Sequence, residues 1–370
     1  MPLARGGDSG PLRVLAWPGR QARAKNPYTW LLYTHLADLG VQVTDFTFGR
    51  ALRGGYDVLH LHWPEKPMAG NSAFARLAGA AGGQVVLEAA RLHGASVVWT
   101  THNARPHEGR NSLLERWYWA GVMRRVNGLL HPSAASQTAI ETTYPTAAGL
   151  PHAVVHMGHF RGSYPDQVTR EEARADLGLP DGAVVVTFLG LLRRYKNVPH
   201  LVRTVRALPP ERNAILLVGG RPLEPALAPE IERAAGQDPR VRLALGRVPD
   251  EDVQRYLRAA DLVVLPFSDI TNSGSALLAL SFDRPVLVPR LGAMGELQAL
   301  LGPEWVHTYE GDLTPAILDE GIAWARRPRP ARADLSSLEW GAIAEQTLAF
   351  YRAVRRGAGG VVGAAAAPNS

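Results

Sequence analysis

Short apolar runs alternate with longer amphipathic stretches along all 370 residues of the chain. Residues 12–17, 41–46, 58–62, 96–100 and 128–131 are rich in Val and Leu and bounded by Gly, Pro, Asp or Asn. That is the pattern of strands buried on both faces. Between them, residues 28–39, 72–92 and 112–126 carry helical spacing. Strand followed by helix, repeated, predicts an open, doubly wound parallel α/β sheet. The pattern then restarts. Residues 154–156 read as a last strand, 161–169 are polar with Gly and Pro, and 171–177 form a short helix. After them, 184–189, 215–218, 241–245, 262–266 and 286–289 read as strands with helices between. Two sheets of one class predict two domains, 11–165 and 166–335, facing each other across a cleft. A helix-like stretch follows the second sheet, so 336–356 is set apart, and the Gly- and Ala-rich 357–370 reads as a disordered tail.

The length fits about two domains at roughly 150 residues each. The 37 Gly and 28 Pro fall between apolar runs, as many short connections require. The absence of Cys excludes a disulfide framework, a thiol nucleophile and thiolate zinc sites. A net charge of +6, weighted toward Arg, suits a phosphate-bearing ligand or an anionic membrane surface. No nucleic-acid-binding motif accompanies it, so nucleic acid is not an expected partner. No apolar run reaches the roughly 18–20 residues of a membrane span, and residues 1–10 lack a signal-peptide core. The expected location is the cytoplasm, including the inner face of the membrane.

In open parallel sheets the ligand lies beyond the carboxyl ends of the strands, so the residues after each strand are the candidates. The first strand is followed by Gly19, Arg20, Arg23, Lys25 and Asn26, then a helix start at Pro27-Tyr28. A loop running into a helix N-terminus is an anion or acceptor site, and a solvated basic turn fits the same residues. The third strand gives His60-Leu61-His62-Trp63-Pro64-Glu65, with both imidazoles on one face. His62 or Glu65 reads as a catalytic base, with backbone-bonded structural imidazoles as the alternative. No third metal-ligating group stands nearby, so no metal and no cofactor are expected. His102 follows the fourth strand and is placed to touch a ligand.

In the second half, Gly190 is followed by Arg193, Arg194 and Lys196, and Gly219-Gly220 end the next strand. Three cations directly after a buried strand point to phosphate. Asn272-Ser273-Gly274-Ser275 open an apolar helix, where backbone N–H groups can hold a diphosphate; an ordinary helix cap is the alternative. Asp250-Glu251-Asp252 reads as an acidic helix start rather than a metal motif. Residues 112–126 combine Arg116, Trp117, Tyr118, Trp119, Arg124 and Arg125, which suits a membrane interface or a half-buried helix.

From about Leu12 to Val354 the chain resembles GT-B glycosyltransferases of the family 4 type. The resemblance rests on His102, on Gly190 with Arg193 and Lys196, on Val218-Gly219-Gly220, and on Ser273-Gly274-Ser275 followed by Pro285-Val286. His60 to Glu65 and Arg193 to Asn197 are most similar to bacterial exopolysaccharide β-mannosyltransferases of family 94. The resemblance implies two Rossmann-like domains, a nucleotide-sugar donor such as GDP-mannose on the second, and a lipid-linked or saccharide acceptor on the first. It also implies a last helix that crosses back to the first domain, His102 against the donor sugar, and Arg193, Lys196 and Ser273–Ser275 on the diphosphate. Two departures stand out: Leu191 holds the place of an Arg after the loop glycine, and Ile270 and Leu278 hold the places of two Glu. Their loss is compatible with an inverting displacement. A nucleotide-sugar 2-epimerase of the same fold and a non-catalytic nucleotide-sugar-binding subunit of a polysaccharide assembly complex remain as alternatives.

Overall fold

The computed structural model describes residues 10–23, 27–102 and 113–357. Asn26, Lys25 and the tail from residue 358 onward lie outside them. The chain forms two compact units, one of residues 1–158 with 338–370 and one of residues 159–337.

Unit 1 is a six-stranded sheet of β1 (Arg13–Trp17), β2 (Gln42–Asp45), β3 (Val58–Leu61), β4 (Ser96–Thr100), β5 (Gly128–His131) and β6 (His152–Val154). All neighbours pair in parallel, in the order β2-β1-β3-β4-β5-β6. The order reverses between β1 and β3, which makes their carboxyl ends the place where a ligand crevice opens. Trp99, Leu59, Leu61 and Leu129 fill the layer beneath the helices Ala73–Leu92 and Leu113–Met123. The helix Trp340–Arg355 belongs to this unit and packs on the helix Pro27–Asp38. Its seat needs a bare backbone at Gly128, where a Cβ would stand 2.7 Å from Val354 and 2.9 Å from the Phe350 ring.

Unit 2 repeats the plan with β7 (Val184–Leu189), β8 (Ala214–Gly219), β9 (Val241–Ala244), β10 (Leu262–Val264), β11 (Val286–Pro289) and β12 (Val306–Tyr309). The order is β12-β11-β10-β7-β8-β9, again all parallel, with the reversal between β7 and β10. Residues 159–165 pack here: Phe160 N donates to Ser281 Oγ at 2.8 Å and Arg161 holds Asp283 at 2.6 Å. The division falls at 158–159, seven residues before the 165–166 boundary that the sequence pattern favours. β12 is not apparent in the sequence because an edge strand reading Val-His-Thr-Tyr lacks a continuous apolar run. β6 starts two residues earlier than its apolar centre predicts, since His152 pairs with Leu129.

Candidate active site

Unit 1 gathers three imidazoles at the carboxyl ends of β3 and β4. β3 carries His60, His62 follows it, and His102 follows β4; all three are buried. Tyr33, from the helix Pro27–Asp38, sets its hydroxyl 2.8 Å from His60 Nδ1 and 2.7 Å from His62 Nε2. Tyr351 reaches His60 Nδ1 at 2.6 Å from the helix Trp340–Arg355. His60 Nε2 lies 2.7 Å from Thr100 Oγ1, and His62 Nδ1 lies 3.0 Å from His102 Nε2. The Trp63 ring stacks on His102 at 4.7 Å, and Tyr28 meets it edge-on at 4.9 Å. Burial, with the neighbouring His102, brings His60 down to about 3. Burial, with Lys66, brings His102 down to about 3. His62 is likewise held well below the usual imidazole range by burial. All three rings are therefore neutral at pH 7.

This arrangement corrects the expectation for His62. It is 1% exposed and both its ring nitrogens are engaged inside the unit, so no substrate hydroxyl reaches it. Glu65 stands apart from the network and is half-buried. Burial pushes its carboxyl up to about 7, against the opposing pull of its own backbone N–H and of Lys66. A carboxyl poised near neutrality suits proton abstraction. The first loop divides. Tyr28 joins the histidines, whereas Arg20 donates to the Val43 carbonyl at 3.2 Å and is exposed. At Gly19 a Cβ would stand 1.8 Å from Asp45 Oδ1, so this glycine faces an acidic side chain of the protein rather than an external anion. Tyr33 and Tyr351 carry no local sequence signal: they lie 318 residues apart and meet only through the fold.

Unit 2 builds a cradle where its strand order reverses. Gly190 follows β7 with φ +136°, and a Cβ there would stand 3.0 Å from Ser275 Oγ and 3.5 Å from Lys196 Nζ. Lys196 is buried, with Nζ 3.4 Å from Ser275 Oγ. No carboxylate among the described residues pairs with it. Burial first, then the charge of Arg193, lowers its ammonium to about 8. A buried ammonium with a guanidinium beside it, and no acid paired to it among the described residues, can accept an external anion. Ser273 accepts from Ala276 N at 3.1 Å and so caps the helix Gly274–Ser281. Gly274 and Ser275 begin that helix after Asn272, with first-turn N–H groups that intrahelical bonds do not use. Gly219 contributes through the loop, its carbonyl accepting Gly190 N at 2.9 Å.

The chain matches known proteins over most of its length. Residues 183–304 match the family model described as glycosyl transferases group 1. Over 346 residues, 93% of each chain, the sequence is 32% identical to a GDP-mannose:glycolipid 4-beta-D-mannosyltransferase of Xanthomonas campestris pv. campestris. Among solved structures, the sucrose-phosphate synthase of Thermosynechococcus elongatus superposes with a TM-score of 0.67 at 16% identity. That match covers 94% of this chain and 100% of the other. Anabaena HepE in complex with UDP and glucose superposes with a TM-score of 0.62 at 14% identity, covering 93% and 98%.

Proposed function

The chain belongs to the group 1 glycosyltransferases of GT-B fold, and on that premise we propose that it transfers mannose from GDP-mannose to a glycolipid hydroxyl with inversion. The observation that carries the donor half is Lys196, a buried cation with no acid partner beside Ser275 and the bare backbone of Gly190. Lys196, Arg193 and the first-turn amides at Gly274 and Ser275 neutralise the charge that grows on the leaving diphosphate. The relative's name specifies a β linkage; an α-configured sugar nucleotide gives it by one displacement. The acceptor oxygen bonds to C1 as the C1–O bond to phosphate breaks, GDP departs with the electron pair, and Glu65 takes the hydroxyl proton. His102 contacts the donor sugar. The epimerase and binding-subunit readings are not favoured, since similarity to a transferase runs through both units.

Thermal unfolding with GDP, UDP and ADP and their sugars tests the donor. A ligand at 100 times its Kd stabilises by about 2.7 kcal/mol. GDP and GDP-mannose are expected to raise Tm, and to lose that effect in Lys196→Ala. Equal, negligible shifts for every nucleotide contradict the assignment.

The glycolipid places the acceptor at a bilayer, and unit 1 carries a surface suited to one. Phe74 (80% exposed), Leu77 and Val85 form an apolar stripe on the helix Ala73–Leu92. Leu113 (76% exposed) and Trp117 continue it on the helix Leu113–Met123, which packs alongside. Arg116, Arg124 and Lys66 are exposed cations of the same unit. Exposed apolar side chains and exposed cations on one unit suit the acyl and headgroup layers of an anionic membrane. No helix among the described residues is long and apolar enough to cross one.

A further inference from the structure

At the amino ends of its strands, unit 1 holds a cavity of about 920 Å³ that the transfer reaction does not use. Arg13 opens β1, Asp57 stands just before β3, and the last helix brings Arg352, Arg355 and Arg356 to the same wall. The histidines and Glu65 lie at the other end of the sheet. The four residues of β3 alone, at about 3.3 Å each, set the two places roughly 13 Å apart.

The lining bears four guanidiniums and one carboxylate. Asp57 is buried and fixes two of the four. Arg13 donates to it from the backbone N at 2.8 Å and from Nη2 at 3.0 Å, and Arg355 Nη2 stands 3.4 Å away. Arg352 and Arg356 are exposed and meet no carboxylate among the described residues. The carboxyl end of their helix supplies about half a negative charge, which is less than these two guanidiniums carry. Guanidiniums grip phosphate oxygens through parallel pairs of N–H donors, and a phosphomonoester or diphosphate brings about two negative charges to meet them. We propose that this cavity binds a phosphomonoester or diphosphate group, with Arg352 and Arg356 as the cations that neutralise it and Arg13, Asp57 and Arg355 as the fixed wall beside them. Exposed Leu39 lines the same cavity, and exposed Leu92 precedes its lining residue His93, so the phosphate belongs either to a lipid headgroup or to a soluble ester. The site lies in unit 1 alone and is independent of the donor cradle.

The test is calorimetry of the full chain with inorganic pyrophosphate, in a Lys196→Ala background so that the unit 2 cradle does not contribute. Pyrophosphate is expected to bind, and to bind more weakly as salt rises. Arg352→Gln with Arg356→Gln is expected to raise its Kd about tenfold or more, and each substitution alone about threefold. Both side chains are exposed, and melting temperatures check that the variants fold. Phosphatidylcholine vesicles carrying phosphatidic acid then identify the source, with Phe74→Asp and Trp117→Asp present to remove the apolar stripe. Capture by those vesicles that the two Gln substitutions abolish means a lipid headgroup, and pyrophosphate binding without capture means a soluble ester. Either result upholds the site. Absence of pyrophosphate binding overturns it, and so does a Kd that the double substitution leaves unchanged or that succinate matches. Sugar transfer is no part of the readout, so failure of the functional reading would leave this result standing.

Discussion

Lys196 is destabilising where it stands, a cost that its proposed role on the donor diphosphate accounts for. Its folded-state ammonium sits at about 8 against an ordinary 10.5, so between those values the unfolded chain binds more protons and stability rises with pH. Below pH 8 the full cost of burying the charge is present. Lys196→Met is therefore expected to stabilise the protein at pH 7 by roughly 1–3 kcal/mol while lowering kcat/KM by about 100-fold or more, read by denaturant unfolding and by donor turnover. Glu65 has the opposite arithmetic. Its carboxyl is raised from 4.5 to about 7, so the folded state binds the extra proton and stability falls as pH climbs through that window. As a base it works only when deprotonated, so kcat should rise toward a plateau above pH 7. Glu65→Gln should abolish that limb and cost about 100- to 10,000-fold in kcat, measured as a pH–rate profile.

Loops after strands carry the site, and backbone geometry limits what they accept. At Gly190 the φ of +136° excludes L side chains, and any Cβ would intrude between Ser275 Oγ and Lys196 Nζ. Gly190→Ala is expected to cost about 1–3 kcal/mol of stability and to weaken donor binding by at least tenfold in calorimetry. An unchanged donor Kd in a folded variant would remove Gly190 from the cradle. The strand and its turn were legible in the sequence, because an unbroken Val-Val-Val-Thr-Phe-Leu run ends at a Gly; that Lys196 is buried beside Ser275 was not, since a surface basic turn fits the same residues. The histidine cluster was half legible. Alternation on β3 placed His60 and His62 together, but their engagement by Tyr33 and Tyr351 depends on two helices from opposite ends of the chain. Periodicity therefore offered His62 as a base, and only the hydrogen bonds show that it is already spoken for. The edge strand β12 escaped for a similar reason, since its pairing with β11 and not its composition makes it a strand.

At the scale of the molecule, the proposed function assigns one part of the chemistry to each unit: donor phosphate to Lys196 and Gly190 of unit 2, and proton abstraction to Glu65 of unit 1. The apolar stripe on unit 1 predicts that the protein floats with vesicles containing anionic lipid. Phe74→Asp combined with Trp117→Asp should abolish flotation without changing Tm shifts by GDP, and persistent flotation would remove the stripe from the account. The central claim is the transfer itself. Purified protein incubated with GDP-mannose labelled in the sugar and with a glycolipid acceptor should move label into the lipid fraction, with a β anomeric linkage by NMR. Label that stays in the aqueous phase, enters lipid only from another sugar nucleotide, or arrives in an α linkage would contradict it.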